Sequence, residues 1–310
     1  PPRGKIAVDP ERGRIAFPPS QLPRQKVQVY YHYAFSADIG GGEYDRVLTE
    51  PRAAEVIRVS QGFKPGQGHT RIADALDEWR AKRPDNAVIE ILDSGVYIEQ
   101  LKIDLRDGQS LQVRAANRKR PVIHLIDMRP DLPDALTVEM KGDGRLVLDG
   151  LLITGRPVHI HGAEPEVNGG YQAGYGRKRQ PKYEGGDGEV VCGARVVIRH
   201  CTLVPGWGLH NDCEPRRPTE PSIELYNLRA ALDGEKSIVG SIQVHEDAVD
   251  TEPAPLSITD SVVDSTGPHR EAIGAPGRVV AHAILTMARC TVFGIVQVHA
   301  IELAENCIFM

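Results

Sequence analysis

Short apolar runs separated by polar turns recur along this chain. One phrase has two apolar strand positions, two mostly polar turn residues, and then a small or apolar residue that opens the next run. It is found at residues 146–153, 196–203, 256–263 and 285–292, and residues 223–228 and 301–308 also fit it. Strand-and-turn units that repeat with loops of different length are typical of a solenoid. The pattern therefore predicts an all-β fold of stacked coils.

A second phrase is an apolar strand that ends in a histidine. It is found at residues 158–161, 207–210, 242–245, 279–282 and 296–299. In the last of these, Val296 and Val298 alternate with Gln297 and His299, so we expect the valines to point inward and the polar residues outward. Neighbouring strands lie about 4.8 Å apart, which predicts an outward ladder of histidines. The alternative is a polar residue that marks the end of each strand.

The first phrase also predicts which side chains stack in the core. We expect one buried column of Leu148, Ile198, Ile258 and Met287, and another of Leu151, Cys201, Ser261 and Cys290. A free cysteine packs like a small hydrophobic residue, which suits the second column. The five cysteines have no metal-binding spacing and no even count for pairing. Their pattern favours a reducing compartment.

One amphipathic helix is predicted from residue 71 to residue 82, with Thr70 as its cap. Its apolar face would consist of Ile72, Ala75, Leu76 and Trp79, and Pro84 would end it.

The first fifty residues have a different character. Three β-prone runs, at residues 5–10, 14–17 and 27–35, are separated by Gly and Pro and predict a small antiparallel β module. The predicted organisation is therefore a β module at residues 1–50, a linker at 51–67 and a parallel β-helix at 68–310. The last run, residues 307–310, stops within an apolar strand, so we expect the β-helix to continue beyond the C-terminus.

Composition and charge exclude some classes of function. The chain has 310 residues and a net charge of -5, which argues against a general nucleic-acid binder. No apolar run approaches the length of a membrane span. No cofactor is predicted. Asp38, Glu43 and Asp45 in the glycine-rich loop could hold a divalent cation, but the loop lacks the spacing of a calcium loop, so a structural turn is the favoured interpretation.

The order of segments after residue 70 carries a resemblance. An Ile-x-x-Ala-Leu helix (72–76) is followed by Val-Ile-Glu-Ile (88–91), Asp-Ser-Gly-Val-Tyr (93–97), a polar strand (110–115) and Pro-Val-Ile (121–123). This order resembles the entry of pectate-lyase-like right-handed parallel β-helices. The resemblance implies a right-handed coil whose N-terminal end is plugged by the helix. The catalytic signatures of polygalacturonases, pectate lyases and pectin methylesterases are not matched, so it implies the fold without the activity.

A second resemblance concerns the N-terminal module. Residues 8–17, 27–33 and 35–46 are similar to a segment of large proteins associated with phage-tail-like contractile particles. This resemblance implies that the chain is a piece of a particle component.

Acidic residues follow two of the strand-ending histidines. The segments 210–214 and 245–250 would lie on adjacent coils, so six side chains are candidates for a metal site or for acid–base work on a sugar. These candidate catalytic residues are His210, Asp212, Glu214, His245, Asp247 and Asp250. The alternative is that the carboxylates are solvated loop acids.

A long insertion after residue 162 is rich in tyrosine and basic residues. Its candidates for sugar stacking or for contact with a partner are Tyr171, Tyr175, Arg177 and Tyr183. A surface insertion without a ligand is the alternative.

Three classes of function fit these observations. We expect a structural or adhesive β-helix in a larger, phage-tail-like assembly, which binds glycan or a neighbouring protein and is not a competent enzyme alone. Its partners would be neighbouring subunits or the remainder of the parent polypeptide, with polysaccharide as a ligand, in a soluble cytoplasmic or particle-associated form. The alternative is a polysaccharide lyase or hydrolase acting on acidic glycans. The third class is a non-catalytic glycan-binding module.

Overall fold

The computed structural model describes residues 1–9, 14–27, 38–51, 53–125, 135–162, 194–204, 206, 210–211, 217, 219–226, 230–245 and 253–310. Two compact units divide the chain, Pro1–Ala37 and Asp38–Met310. In the first unit, β1 (Ala7–Asp9) pairs antiparallel with β2 (Arg14–Ala16), and a 3-10 turn spans Pro19–Gln21. This pairing agrees with the predicted antiparallel module, although the unit ends at residue 37 and not at residue 50.

Three parallel sheets, here named A, B and C, make up the second unit. Sheet A has nine strands: β3 (Glu55–Val59), β4 (Asn86–Ile91), β7 (Ser110–Ala115), β10 (Arg145–Asp149), β13 (Arg195–Arg199), β16 (Ala231–Glu235), β19 (Ala254–Thr259), β22 (Ala281–Ala288) and β25 (Val298–Glu305). Sheet B has eight: β5 (Val96–Ile98), β8 (Val122–His124), β11 (Leu152–Thr154), β14 (Thr202–Leu203), β17 (Ile238–Val239), β20 (Val262–Asp264), β23 (Thr291–Phe293) and β26 (Ile308–Phe309). Sheet C has seven: β6 (Lys102–Leu105), β9 (Leu136–Met140), β12 (Val158–His161), β15 (Ile223–Tyr226), β18 (Ile242–His245), β21 (Glu271–Gly274) and β24 (Ile295–Val296).

The order of strands explains the repeat seen in the sequence. From β4 onward, successive strands join sheets A, B and C in turn, and each strand pairs in parallel with the third strand before and after it. This predominantly β arrangement of long parallel sheets is compatible with a parallel β-helix. Because β3 already belongs to sheet A, the predicted linker at 51–67 contains a strand.

Both predicted core columns are confirmed. Leu148, Ile198, Ile258 and Met287 occupy one register position of sheet A and are all buried. Gly234 takes the same position between Ile198 and Ile258. The second column, Leu151, Cys201, Ser261 and Cys290, is also buried and is joined by Ser237. Inward alternation along parallel strands therefore builds the core, as the repeat predicted.

The turn between sheets A and B has a fixed backbone shape. In successive coils the residue before the Cys/Ser column has a positive φ, as at His200, Lys236, Asp260 and Arg289. Within the column, the Ser237 hydroxyl accepts a hydrogen bond from the Cys201 N–H (3.2 Å) and donates one to the Ile198 carbonyl (3.1 Å). A small side chain with a polar tip therefore satisfies backbone groups in each buried turn.

Two segment assignments were wrong. Residues 223–226 form β15 of sheet C, in register with β12 and β18, so they belong to the histidine-ending phrase. His282 and His299 lie in β22 and β25 of sheet A, which separates them from the histidines of sheet C. Alternation alone could not assign them, because strands of all three sheets bury every second residue.

The helix α1 (Ile72–Lys82) has the predicted apolar face, and Ile72, Ala75, Leu76 and Trp79 are all buried. The N-terminal cap differs from the prediction. Neither Thr70 nor the N-cap residue Arg71 caps the helix with its side chain. Instead the Glu99 carboxylate accepts hydrogen bonds from the N–H groups of Ile72 (3.1 Å) and Ala73 (2.8 Å). A carboxylate from a distant segment thus satisfies the first turn. Arg83, at a φ of 56°, ends the helix before Pro84.

Candidate functional site

The predicted catalytic cluster is only partly described. His210 is exposed, and His245 ends β18. Asp212, Glu214, Asp247 and Asp250 lie outside the described residues, and so do Tyr171, Tyr175, Arg177 and Tyr183. Of the six catalytic candidates, His245 is therefore the one whose surroundings define a site.

His245 belongs to a stack of rings on the outward face of sheet C. His161, Tyr226 and His245 occupy one register position of β12, β15 and β18. The ring centroids of His161 and Tyr226 are 4.6 Å apart at an interplanar angle of 8°. Those of Tyr226 and His245 are 4.3 Å apart at 10°. Of the histidines in the predicted ladder, His161 and His245 thus lie in one stack on sheet C with Tyr226 between them, whereas His282 and His299 do not.

Two rows of polar side chains cross this face, and together we call them the sheet C strip. One row consists of Lys102, Thr137, His159, Glu224 and Gln243. The other consists of Asp104, Glu139, His161, Tyr226 and His245. The rows alternate with buried residues such as Ile160 and Leu225, which fixes their outward direction.

Glu224 joins the two rows at the centre of the strip. Its Oε2 lies 2.6 Å from His159 Nε2, and its Oε1 lies 3.0 Å from His245 Nε2. Because an ionised carboxylate can only accept, both imidazoles donate from Nε2. The neutral form of each ring then carries its lone pair on Nδ1. One carboxylate therefore orients two histidines, a role that carboxylates often have beside imidazoles.

Partial burial and neighbouring groups shift the pKa values of Glu224, His161 and Tyr226 at the centre of the strip. Burial alone would raise the pKa of Glu224, but the hydrogen bonds and charges of His159 and His245 outweigh it, so the pKa lies below its usual value. Burial lowers the pKa of His161 despite the opposing Glu139 carboxylate. Burial, reinforced by Glu224, raises the pKa of Tyr226 to about 12. Near neutral pH the strip thus holds an ionised carboxylate, a neutral imidazole and a protonated phenol.

This set of groups can donate and accept hydrogen bonds, and it can move protons. A neutral imidazole is a base, and a phenol that keeps its proton is an acid, so His161 and Tyr226 form a candidate acid–base pair. Glu224 cannot serve as a general acid near neutral pH because it is ionised there.

The weak cation candidates do not form a metal site. The Asp45 carboxylate accepts hydrogen bonds from Asn117 Nδ2 (2.9 Å) and Arg118 Nε (2.8 Å), and Glu43 accepts one from the Ser94 hydroxyl (2.6 Å). With Asp38 included, no group of three or more His, Cys, Asp or Glu side chains in the described part of the chain could hold a metal ion. Glu43 and Asp45 instead join the segment after residue 38 to the turns that contain Ser94 and Arg118.

The central residues of the strip, Glu224 and Tyr226, were missed in the sequence. Their strand was assigned to the other phrase, because it is followed by Asn and Leu as in a turn. The useful signal was alternation: Ile-Glu-Leu-Tyr has the same apolar–polar order as Val-His-Ile-His and Ile-Gln-Val-His. His282 and His299, with ring centroids 5.8 Å apart, form a separate pair on sheet A.

Comparison with family models gives no match, and neither curated proteins nor solved structures show a significant match. The resemblances to pectate-lyase-like β-helices and to particle proteins therefore have no support at the level of family. Among the described residues there is no helix long and apolar enough to cross a membrane.

Proposed function

We propose that this chain is a right-handed parallel β-helix that binds a glycan along the sheet C strip and serves as a structural or adhesive part of a larger assembly. Helix α1 would cover the first coil, since it packs against β3, β4 and β6 at that end. The cyclic A, B, C order of strands supports the coil.

The observation that carries the glycan proposal is the continuity of the strip. Five neighbouring strands of sheet C, β6, β9, β12, β15 and β18, each contribute outward polar residues. The strands are spaced about 4.8 Å apart, so donors and acceptors recur at regular intervals along the coil axis. Sugar hydroxyls both donate and accept hydrogen bonds, and an extended chain of sugars presents them at similarly regular intervals. The stacked rings keep their polar edges available because their faces cover one another.

Exposed apolar side chains support the assembly part of the proposal. Ile301 and Leu303 of β25, and Ile308 and Phe309 of β26, are all largely exposed. Both strands are also the outermost strands of their sheets. An outer strand edge and an apolar patch are features of surfaces that contact another protein. A neighbouring subunit is therefore the proposed partner there.

The binding test is a titration of the purified chain with a panel of neutral and acidic oligosaccharides. Glu224→Gln removes the charge that orients His159 and His245, so we expect at least a tenfold weaker Kd, about 1.4 kcal/mol. The control, Glu302→Gln, makes the same chemical change at an exposed position of sheet A. Absence of binding across the panel, or equal affinity of the Glu224→Gln variant, would contradict the proposal.

The acid–base pair favours a second candidate, cleavage of an acidic glycan by elimination. His161 would take the proton beside the sugar carboxylate, the C–H electrons would form a carbon–carbon double bond, and the glycosidic C–O bond would break. Tyr226 would give its proton to the leaving oxygen. Production of unsaturated ends by the wild type and its loss in Tyr226→Phe, with binding retained, would establish the enzyme. Binding without turnover would leave the non-catalytic proposal.

A further inference from the structure

A basic cleft of about 500 Å³ lies where the C-terminal end of α1 meets β6 and β9. Its walls carry five cationic side chains, which are Arg80, Arg83, Lys102, Arg106 and Lys141. Two carboxylates, Asp104 and Glu139, also line it. The volume falls in the range of small-molecule sites, about 300–1,000 Å³.

The cations differ in how far they are already neutralised. Lys102 Nζ lies 3.1 Å from Asp104, and Arg80 forms an ion pair with Asp77. Arg83, Arg106 and Lys141 are exposed and form no ion pair with any residue in the described ranges. Three positive charges therefore converge on one cleft without an anionic partner among those residues.

Two buried donors add a second observation. Trp79 is 1% exposed, and its indole Nε1 has no hydrogen-bond acceptor among the residues that the structure describes. The Nε of Arg80 is also buried without one. Both residues line the cleft. A buried donor without an acceptor is uncommon in a folded protein and calls for an explanation, such as an acceptor that binds there.

The competing negative charge is smaller. The C-terminal end of α1 contributes about half a negative charge, and Glu139 contributes one carboxylate that forms no ion pair with another described residue. Arg83, Arg106 and Lys141 together outweigh both. The field in the cleft is thus positive, and it attracts anions.

We propose that this cleft binds a ligand that carries two or more oxyanion groups, as phosphate or sulfate groups. Arg83 and Arg106 can each offer paired N–H donors to such a group, and Lys141 adds a third charge. This cleft adjoins the sheet C strip and shares Lys102, Asp104 and Glu139 with it, but Arg83, Arg106 and Lys141 lie outside the strip, so the proposal does not depend on glycan binding there. The shared chemistry is the clustered oxyanion, whether it comes from a free polyphosphate or from sulfate esters on a saccharide.

The test titrates the full chain with inorganic tripolyphosphate, with a sulfated oligosaccharide and with its neutral counterpart. The cleft variant carries Arg83→Gln, Arg106→Gln and Lys141→Gln. The matched control carries Lys64→Gln, Lys119→Gln and Arg120→Gln, which removes the same charge from exposed positions that do not line the cleft. We expect at least tenfold weaker binding of one or both anionic probes in the cleft variant relative to the control, and equal behaviour of the two variants toward the neutral saccharide. Stronger binding of one probe identifies the source of the oxyanion.

The Trp79 indole N–H provides a local readout. Its NMR signal, assigned with a Trp79→Phe variant, should move during the titration of the wild type and stay in place in the cleft variant. Equal loss of affinity in the two triple variants would overturn the proposal, since it would reveal a general charge effect. Absence of binding by both anionic probes, or an unmoved Trp79 signal during binding, would overturn it as well. Thermal unfolding of each variant checks that the fold is intact.

Discussion

At the scale of the residue, Arg46 is a charged side chain that is buried among backbone carbonyls and a carboxylate. It is fully buried, and its Nη2 donates to the carbonyls of Ala115 (2.8 Å) and Ala116 (3.0 Å). Its Nε lies 3.8 Å from the buried carboxylate of Asp149, which also binds Arg199. The guanidinium occupies the space beside Gly150, where any Cβ would lie 1.6 Å from Arg46 Nη1. The inserted arginine therefore adds a buried contact to the exposed ones by which Glu43 and Asp45 hold the segment after residue 38.

Removal of this arginine should destabilise the fold. In Arg46→Ala, Asp149 keeps one partner inside a buried site, and breaking a buried ion pair costs about 3–5 kcal/mol. We expect a loss of that size in the free energy of unfolding, measured by urea denaturation. Arg145→Ala, at an exposed position of β10, should change it by less than about 0.5 kcal/mol. Equal stability of the two variants would show that Arg46 is not a fastening point.

His161 should make stability depend on pH. Its pKa in the folded state lies below its usual value of about 6.5, because burial disfavours the charged ring. The unfolded state therefore binds a proton in a range where the folded state does not. The contribution is fully present above about pH 6.5 and is lost as pH falls toward the folded pKa. The free energy of unfolding of the wild type should thus fall more steeply below that pH than that of His161→Gln. Parallel profiles would contradict the assignment.

At the scale of the element, each strand contributes one or two inward side chains to a column that runs through several coils. Ile198 lies between Leu148 and Gly234 in its column, and it is buried. Its neighbour on the β16 side, Gly234, has no side chain of its own to fill the space that truncation would open.

Ile198→Ala should therefore destabilise the protein by about 2–5 kcal/mol. Ile98→Ala, in β5, removes the same groups from a side chain that is 55% exposed, and should cost less than about 0.5 kcal/mol. Denaturant titration of both variants gives the comparison. Similar losses would mean that the registers of sheets A and B are wrong, because a slip of one residue exchanges buried and exposed positions.

The elements that could be predicted are those whose pattern of apolar residues lies within one short segment of the sequence. The apolar face of α1 and the two core columns follow from residue spacing, so they were readable in the sequence. The cap of α1 was not, because Glu99 lies 27 residues after Ile72 and reaches the helix through the fold. The strip could be predicted only in part. His159 and His245 share Glu224 as a partner, and these three residues become neighbours through the long-range pairing of β12, β15 and β18.

At the scale of the whole molecule, the parallel sheets align equivalent residues of the sequence repeat and so form two continuous features. Inward residues form the core, and outward residues of sheet C form the polar strip. A function that uses a long surface suits such an architecture, because repeats stack into extended binding faces. We propose that the strip is the binding face of this protein.

The most direct measurement follows the imidazole NMR signals during titration with the tightest-binding oligosaccharide of the panel. His159, His161 and His245 on the strip should shift together with one Kd. His282 and His299, on sheet A, should stay unchanged and provide the control within the same molecule. Binding that shifts the signals of the sheet A pair, or that leaves those of the three strip histidines unmoved, would contradict the proposal that the strip binds the glycan.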